Sequence, residues 1–380
     1  MNGDILLDVR DLRAEFPLDE GLLTAVSGVS YTIDRNSTLG IVGESGCGKS
    51  ITAHAVLRIV PPPGRTSGEI LLHRRPAGTG ATESRAGAGD SGGGTAGVAT
   101  GDSGGAATAA DTAGVVDLQS LGTNSREMRA IRGREIAMIF QEPMTSLSPV
   151  HRVGEQVAEA ITLHRTDDRE EAKQIALSML DRVGIPHPSR VFDTYTHQLS
   201  GGLRQRIMIA MALSCDPSLL IADEPTTALD VTVQAQVIEL MKELQSQSRM
   251  AIQYISHDLG VIAEIADYVA VMYLGEVVEY ADVHTLFKKP LHPYTIALLD
   301  SIPKLEDKPR QRLFPITGTV PTPIGLPRGC RFFGRCPRAM PGTCDAYDPE
   351  LVELEPGHKA RCFLYPEVLE AAKRTQEAAV

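Results

Sequence analysis

Residues 38–57, TLGIVGESGCGKSITAHAVL, decide the fold of this chain. Their centre, GESGCGKS at 43–50, has the spacing G-x-x-x-x-G-K-[ST], in which glycines let successive backbone N–H groups point at phosphate oxygens. The apolar residues 38–42 predict a buried strand that enters this loop. Residues 50–57 predict a helix that leaves the loop with its positive end towards the phosphates. The stretch therefore predicts an α/β fold that binds a nucleotide.

The side chains of the loop have separate expected tasks. Lys49 places a positive charge near the outer phosphates, and the Ser50 hydroxyl can reach a bound Mg²⁺. Cys47 is expected to bind through its backbone, and its thiol is a candidate for oxidation or alkylation. The residues expected to contact the phosphates are Gly43, Glu44, Ser45, Gly46, Cys47, Gly48, Lys49 and Ser50.

A second apolar run, residues 219–222, ends in two carboxylates, Asp223 and Glu224. The carboxyl ends of parallel strands form the edge of a sheet at which α/β proteins bind ligands. We expect Asp223 to hold Mg²⁺, directly or through water, and Glu224 to orient and polarise the water that attacks the γ-phosphate. Without a phosphate loop in the same chain, a solvated acidic turn would be the better interpretation.

Two further polar residues follow apolar runs in the same way. Gln141 comes after residues 136–140, and His257 comes after residues 252–256. A lone histidine is usually a satisfied surface or core residue, so its place at a strand end is what predicts a contact with the γ-phosphate. The residues expected to act in hydrolysis are Lys49, Gln141, Glu224 and His257.

Together these motifs resemble one family, the nucleotide-binding subunits of ABC transporters. The signature LSGGLRQR at 199–206 is the most specific sign, and ALD at 228–230 matches the D-loop of the family. The resemblance extends over roughly residues 6–280. Five segments resemble more narrowly the ATP-binding subunits of dipeptide, oligopeptide and nickel importers: QEPMTSLSPVHRVGEQ at 141–156, LSGGLRQRIMIAMALSCDP at 199–217, ADEPTTALDVTVQAQ at 222–236, HPYTIALLDSIPKL at 292–305 and GCRFFGRCP at 329–337.

The resemblance implies a nucleotide site that is shared between two subunits. Ser200, Gly201 and Gly202 would contact the γ-phosphate of ATP held by a partner subunit, not by their own chain. Leu203 stands where the superfamily most commonly has glutamine. An apolar residue is ordinary there in the peptide-importer group, so it does not imply inactivation.

The resemblance also implies roles in metal and base recognition. Gln141 would join Ser50 and Asp223 around Mg²⁺. An aromatic residue before the phosphate loop stacks on adenine in this family, and Phe16 is the candidate here. Tyr31 competes with Phe16, and an ordinary core aromatic is the alternative interpretation.

Composition limits the class of protein. The chain has 380 residues, a net charge of −11 and no Trp, which argues against a nucleic-acid partner. No apolar run approaches the ~20 residues that cross a bilayer, and the start MNGDILLDVR does not resemble a signal peptide. We therefore expect a peripheral protein, held on the cytoplasmic face of the cell membrane by partner subunits.

The order of motifs predicts an α/β P-loop ATPase of the ABC type. It would have a mainly parallel core sheet, an antiparallel β-subdomain, a helical subdomain and a cysteine-containing C-terminal extension. The nucleotide-binding domain is predicted at residues 1–285, with the helical subdomain at 143–200 and a further helix at 205–214. Residues 76–114, almost entirely Gly, Ala, Ser and Thr, predict a disordered insertion. The extension is predicted at 286–380.

Four of the six cysteines lie in the extension: Cys330, Cys336, Cys344 and Cys362. In a cytoplasmic protein, disulfides are an unsuitable explanation for such a group, whereas four thiolates can hold zinc or a [4Fe–4S] cluster. The spacing fits neither a zinc ribbon nor a ferredoxin. The resemblance to peptide importers favours [4Fe–4S], followed by zinc and then by reduced thiols without a ligand.

The leading hypothesis is an ATPase that uses ATP and Mg²⁺ to power peptide import. Its expected partners are two permease subunits, a second, paralogous ATP-binding subunit and an extracytoplasmic peptide-binding protein. Nickel or another small solute is the alternative substrate. A DNA-associated ABC ATPase is a distant alternative, because the segment between Gln141 and Leu199 has no room for a coiled coil. The single phosphate loop disfavours a tandem translation factor, and Glu224 and His257 disfavour an inactive subunit.

Overall fold

Strand β3 (Thr38–Val42) lies inside an eight-stranded sheet and is buried along its whole length, as its apolar sequence requires. The computed structural model describes residues 4–75, 114–141, 146–227, 229–302 and 316–378. Five neighbouring strands of the sheet run parallel: β9 (Tyr268–Tyr273), β3, β8 (Ala251–Ser256), β7 (Leu219–Asp223) and β6 (Ile136–Ile139). Their carboxyl ends share one edge, where the predicted site residues meet.

A second, antiparallel sheet has four strands in the order β2 (Gly21–Asp34), β1 (Ile5–Leu18), β4 (Arg65–His73) and β5 (Val115–Asp117). It corresponds to the predicted antiparallel β-subdomain. Strands β4 and β5 pair directly, with Leu72 opposite Val116, although the low-complexity segment separates them in sequence. That segment, residues 76–113, lies outside the described residues, so its predicted disorder stays a prediction.

Helix α1 (Lys49–Val56) follows the phosphate loop, and the predicted helical region contains α3 (Val153–His164) and α4 (Arg169–Arg182). The four-residue spacing of Val153, Val157 and Ile161 places all three in the core. The other α-helices of the described residues are α2 (Arg126–Ile131), α5 (Pro188–Phe192), α6 (Gly201–Leu213), α7 (Val231–Ser248), α8 (Leu259–Ile265), α9 (Val283–Lys288), α10 (Pro293–Asp300) and α11 (Pro366–Ala378).

The helix after the signature begins earlier than the sequence pattern predicts. The expected helix at 205–214 is helix α6, which starts at Gly201. The Ser200 hydroxyl accepts a hydrogen bond from the Leu203 amide at 3.4 Å, so serine caps the first turn. The prediction of the start was wrong because two glycines have low helix propensity, and the serine cap offsets it.

The C-terminal extension continues the core sheet. Strand β10 (Glu276–Asp282) pairs antiparallel with β9 on one side and with β12 (His358–Ala360) on the other, and β11 (Val352–Glu355) forms the edge. The two outermost strands on this side of the sheet, β12 and β11, therefore come from the last thirty or so residues of the chain, whereas β6 forms the opposite edge.

The buried carboxylate of Glu279 connects the C-terminal extension to the core sheet by hydrogen bonds. Glu279, fully buried in β10, accepts hydrogen bonds from the amides of Leu291 at 2.7 Å and His292 at 2.8 Å. His358 Nε2 lies 2.8 Å from the same carboxylate. Burial lowers the pKa of His292 to about 4, against the opposing effect of Glu279. Because a buried charge without partners is costly, these contacts hold the three segments in one arrangement.

Candidate functional site

Two glycines of the phosphate loop lie where no side chain fits. A Cβ on Gly43 would lie 2.2 Å from the Met272 carbonyl oxygen, and one on Gly48 would lie 2.2 Å from that of Ala25. Gly48 also has φ +91° immediately before α1. The loop therefore packs directly on the backbone of neighbouring strands, which explains why the sequence has glycine at both positions.

Lys49 is buried beneath the loop that it follows. Its ammonium donates to the carbonyl oxygens of Gly43 at 2.9 Å and Glu44 at 3.1 Å, and it lies 4.0 Å from Glu224 Oε1. The side chain is 5% exposed. A buried cation beside a loop of backbone amides provides the positive charge that the outer phosphates of a nucleotide need.

The predicted magnesium residues Ser50 and Asp223 are brought together. The Ser50 hydroxyl donates to Asp223 Oδ1 at 3.0 Å. Burial raises the pKa of Asp223, whereas this hydrogen bond acts in the opposite direction. Mg²⁺ takes oxygen ligands, commonly one or two carboxylates together with substrate phosphates, so the donor set fits the ion.

Glu224 is the point at which the predicted catalytic residues meet. Gln141 Nε2 donates to Glu224 Oε2 at 3.3 Å, and His257 Nδ1 lies 3.1 Å from the same oxygen. The Thr227 hydroxyl also donates to it, at 2.9 Å. Thr227 was absent from the sequence prediction; its position three residues after Glu224 in a turn is the only sign of it. Four polar side chains, including Lys49, thus surround one carboxylate, and they follow the ends of β3, β6, β7 and β8.

The signature residues lie at the exposed start of α6. Ser200 and Gly201 are exposed, and a Cβ on Gly202 would lie 3.0 Å from Val233 Cγ1 of α7. Helix α7 is itself capped by Asp230, which accepts from the Val233 amide at 3.0 Å. The signature and the residues after the D-loop are therefore neighbours on one surface, whereas their contact with a partner's nucleotide stays a prediction.

The structure separates the two candidates for adenine stacking. Tyr31 is 5% exposed, and its hydroxyl donates to Gln253 Oε1 at 3.0 Å in the core. A ring held there cannot stack on a ligand. Phe16 is half-buried near the end of β1, where its Cε1 would lie 2.6 Å from a Cβ on Gly64. Phe16 remains the predicted stacking residue.

The expectation that the Cys47 thiol is open to oxidation or alkylation is wrong. Cys47 is 1% exposed, and burial raises the pKa of its thiol. The hydroxyl of Tyr294, from the C-terminal extension, forms a hydrogen bond with the Cys47 thiol. A thiol that is both shielded and protonated reacts slowly, so Cys47 behaves as a small core residue.

The four cysteines of the extension share one region but do not form a ligand set there. Burial and the charges of the other three thiols raise the pKa of Cys330 to about 12, and burial raises that of Cys362 to about 11. Across the described ranges, no three His, Cys, Asp or Glu side chains are placed to hold a metal ion. The structure therefore does not confirm the predicted metal centre.

A buried lysine, a hydrogen-bonded serine–aspartate pair and a carboxylate surrounded by polar groups are the arrangement expected of a P-loop nucleoside triphosphatase. Two family models match this chain: "ABC transporter" at residues 26–90 and 106–227, and "Oligopeptide/dipeptide transporter, C-terminal region" at residues 278–344. The matched regions contain the phosphate loop, the signature, Asp223 and Glu224, as well as three of the four cysteines of the extension.

Relatives match along nearly the whole length. The chain is 44% identical to the oligopeptide transport ATP-binding protein AppD of Bacillus subtilis, over 95% of this chain and 97% of AppD. It is 40% identical to the dipeptide transport ATP-binding protein DppD of the same organism, over 98% of both chains. It is 41% identical to OppD of Salmonella typhimurium, over 95% and 94%. The chain therefore belongs to the ABC transporter ATPases, in the group with the oligopeptide/dipeptide C-terminal region.

Solved structures share the fold. The dimeric ABC transporter cassette MJ0796 matches with a TM-score of 0.55 at 22% identity, over 73% of this chain and 99% of its own. CbiO1 of Clostridium perfringens matches with a TM-score of 0.53 at 23% identity, over 75% and 92%. Within the part of the chain that the structure describes, no helix is long and apolar enough to cross a membrane.

Proposed function

We propose that this ATPase powers the import of peptides through a membrane complex. Relatives with 40–44% identity carry names that specify oligopeptide or dipeptide transport, and they match the extension as well as the ATPase region. The proposed complex contains two permease subunits, an extracytoplasmic peptide-binding protein and a second ATP-binding subunit that is a paralogous chain. This subunit would lie on the cytoplasmic face of the membrane and bind no nucleic acid.

The observation that carries the ATPase mechanism is the environment of Glu224. Its carboxylate lies between Lys49 and the side chains of Gln141 and His257, at 4.0, 3.3 and 3.1 Å. In the proposed mechanism Lys49 neutralises charge on the outer phosphates, and Glu224 accepts the proton of the attacking water. Gln141 and His257 hold the carboxylate towards that water, and His257 also contacts the γ-phosphate.

Magnesium would be held by Ser50 and Asp223, with Gln141 as a further oxygen ligand. When bound, the ion neutralises charge that develops on the phosphate oxygens. The Ser50–Asp223 contact of 3.0 Å supports this assignment because it brings both oxygens to the side of the phosphate loop. In the proposed dimer, Ser200, Gly201 and Gly202 complete the site of the partner subunit, and Phe16 stacks on adenine.

The Glu224→Gln variant tests the mechanism. Glutamine keeps the size of the side chain but cannot accept a proton, so we expect ATP turnover by the assembled complex to fall by about 10²–10⁴-fold. Binding of Mg·ATP should be preserved, because Lys49 and the loop amides are untouched. Glu239→Gln, at an exposed position of helix α7, is the matched control and should retain turnover. Wild-type turnover by Glu224→Gln contradicts the assignment.

Uptake measurements test the substrate. A strain that lacks this chain should lose uptake of labelled dipeptides or oligopeptides and regain it when the wild-type chain, but not Glu224→Gln, is restored. Loss of nickel uptake with normal peptide uptake would replace the peptide assignment by the nickel alternative.

We further propose a [4Fe–4S] cluster on Cys330, Cys336, Cys344 and Cys362, with zinc as the alternative. Support comes from the placement of these cysteines in one region, where the Cys330 amide donates to the Cys344 carbonyl oxygen at 2.7 Å and Cys330 packs against the small cluster that contains Cys344. The present side-chain placement does not form a ligand set, so ligation requires the thiols to reorient. Iron, sulfide and zinc analysis of anaerobically purified protein tests the proposal, and the absence of all three contradicts it.

A further inference from the structure

The C-terminal extension contacts the phosphate loop at Glu44, the second residue of that loop. Arg335 donates to both carboxylate oxygens of Glu44, from Nη1 to Oε2 at 2.7 Å and from Nη2 to Oε1 at 3.0 Å. The backbone amide of Glu44 donates to the Tyr294 hydroxyl at 2.9 Å. We call Tyr294 and Arg335 the Glu44 clamp. Its members lie about 250 and 291 residues beyond Glu44 in the chain.

The Glu44 clamp is itself held firmly. The Arg335 side chain is 8% exposed, and its Nε donates to the Thr317 carbonyl oxygen at 2.9 Å. Its guanidinium lies 5.7 Å from the ring centroid of Tyr273, and the Tyr273 and Tyr294 rings are 4.7 Å apart. A two-point arginine–carboxylate contact fixes direction as well as distance, so Glu44 has one defined position.

Two physical effects connect this position to nucleotide binding. First, the carbonyl oxygen of Glu44 accepts from Lys49 Nζ at 3.1 Å, so a shift of Glu44 also shifts an atom that holds the phosphate-binding lysine. Second, Glu44 carries a negative charge within a loop that binds a triphosphate. Without Arg335 that charge would be uncompensated and would repel the phosphates.

We propose that Tyr294 and Arg335 are positioning residues through which the C-terminal extension sets the ATP affinity of the phosphate loop. The extension would then be part of the nucleotide site and not only an attachment to it. This inference rests on the proposed function in one respect, namely that Mg·ATP is the ligand of the loop.

The direct test is titration of the purified full-length chain with a fluorescent ATP analogue and Mg²⁺. Arg335→Gln should raise the Kd about tenfold, which corresponds to about 1.4 kcal/mol. The Kd of Arg335→Lys should lie between those of the wild type and Arg335→Gln, because lysine keeps the charge but not the two-point contact. Arg338→Gln is the matched control, since Arg338 is an exposed arginine three residues away. Its Kd should equal that of the wild type.

A second pair of variants covers the case in which Arg335→Gln fails to fold. Tyr294→Phe removes only the hydroxyl that accepts from Glu44 and keeps the ring packing. Tyr365→Phe removes a different hydroxyl of the extension, one that donates to the Leu291 carbonyl oxygen at 3.1 Å. We expect Tyr294→Phe to raise the Kd several-fold and Tyr365→Phe to leave it unchanged.

The double variant Glu44→Gln/Arg335→Gln tests whether the two side chains act together. Because Arg335 acts through Glu44, the Kd of the double variant should not exceed that of Arg335→Gln alone. In the assembled complex, Arg335→Gln should raise KM for ATP while kcat stays within about twofold, since the groups around Glu224 are unchanged. If Arg335 had a purely structural role, Arg335→Gln would lower the melting temperature and leave the Kd of the folded protein unchanged.

The outcomes separate the inference from the proposed function. Equal Kd values for the wild type, Arg335→Gln and Tyr294→Phe overturn the inference, as does a Kd of the double variant above that of Arg335→Gln alone. If the wild type itself binds no nucleotide under conditions in which it is folded, the proposed function fails first.

Discussion

Glu224 adopts φ +46°, a left-handed conformation that residues with a side chain rarely take. Its amide donates to the Ile255 carbonyl oxygen of β8 at 3.0 Å, which holds the turn in this shape. The carboxylate is thereby directed back over the strand ends and remains only 11% exposed. This strained conformation places the Glu224 carboxylate between Gln141 and His257. There it can accept a proton from the attacking water of the proposed mechanism.

Substitutions of Phe16 and Tyr31 should have different effects on nucleotide binding and on stability. Phe16→Ala should raise the Kd for Mg·ATP about tenfold, because stacking of a base on an aromatic ring is worth about 1–3 kcal/mol. Tyr31→Phe should leave that Kd unchanged and lower the free energy of unfolding by about 1 kcal/mol, since it removes a buried hydrogen bond to Gln253. Nucleotide titration and denaturant unfolding measure the two effects. A wild-type Kd for Phe16→Ala would contradict the assignment of adenine stacking to Phe16.

Among the elements, those with strong local patterns were predictable. The apolar runs of β3, β7 and β8 differ from the observed strands by one residue or less at each end, because a strand buried on both faces needs a continuous apolar run. The start of α6 was not predictable from propensity, since its first turn consists of glycines that Ser200 caps. The Ser50–Asp223 and Gln141–Glu224 contacts followed from a rule of topology, that parallel strands end at one edge.

Such rules do not predict the contacts of the C-terminal extension. Nothing in the sequence near Arg335 or Tyr294 indicates Glu44 as a partner, because the pairing depends on how segments hundreds of residues apart fold onto one sheet. The burial of Cys47 follows from the same contacts. Local pattern predicts elements and their order, whereas long-range side-chain pairing depends on packing that a single sequence does not reveal.

The attachment of the extension to β10 predicts a pH dependence of stability. Burial lowers the pKa of His292 in the folded chain to about 4, below the ordinary value of 6.5. The unfolded chain therefore binds a proton first as the pH falls, so this contribution to stability is complete above pH 6.5 and is lost as the pH approaches 4. We expect a loss of about 2 kcal/mol between pH 7 and pH 5 from this group.

Urea unfolding of the wild type and of His292→Asn across this pH range measures that contribution. Asparagine can still accept from the Tyr294 amide, as His292 Nδ1 does at 3.0 Å, but it does not titrate. The difference between the two unfolding free energies should therefore shrink as the pH falls. Parallel curves would show that His292 does not titrate in this way, since carboxylates elsewhere contribute equally to both proteins.

For the whole molecule, the proposed function depends on a surface that the single chain leaves exposed. Ser200 and Gly201 lie at the exposed start of α6, and Val231 at the start of α7 is 82% exposed. The phosphate loop, by contrast, is packed against the core and the extension. An exposed signature and a firmly held loop are what a site divided between two subunits requires, because each chain would supply one rigid half.

Gly201 tests that division of the site. Among the described residues, a Cβ on Gly201 meets no heavy atom within 4 Å. Gly201→Ala should therefore leave the melting temperature and the Kd for Mg·ATP of the isolated chain unchanged or slightly improve stability, since alanine favours a helix more than glycine does. In the assembled complex, the added methyl would lie where the partner's γ-phosphate is expected. We expect turnover at that site to fall at least tenfold.

Gly202→Ala provides the contrast within the same turn. Its Cβ would lie 3.0 Å from Val233 Cγ1, so this variant should strain the contact between α6 and α7 in the isolated chain. Thermal unfolding of the chain and ATP turnover of the complex, measured for both variants, separate damage inside the subunit from damage across the interface. Wild-type turnover by complexes that contain Gly201→Ala would mean that the signature of this chain does not reach a partner's nucleotide.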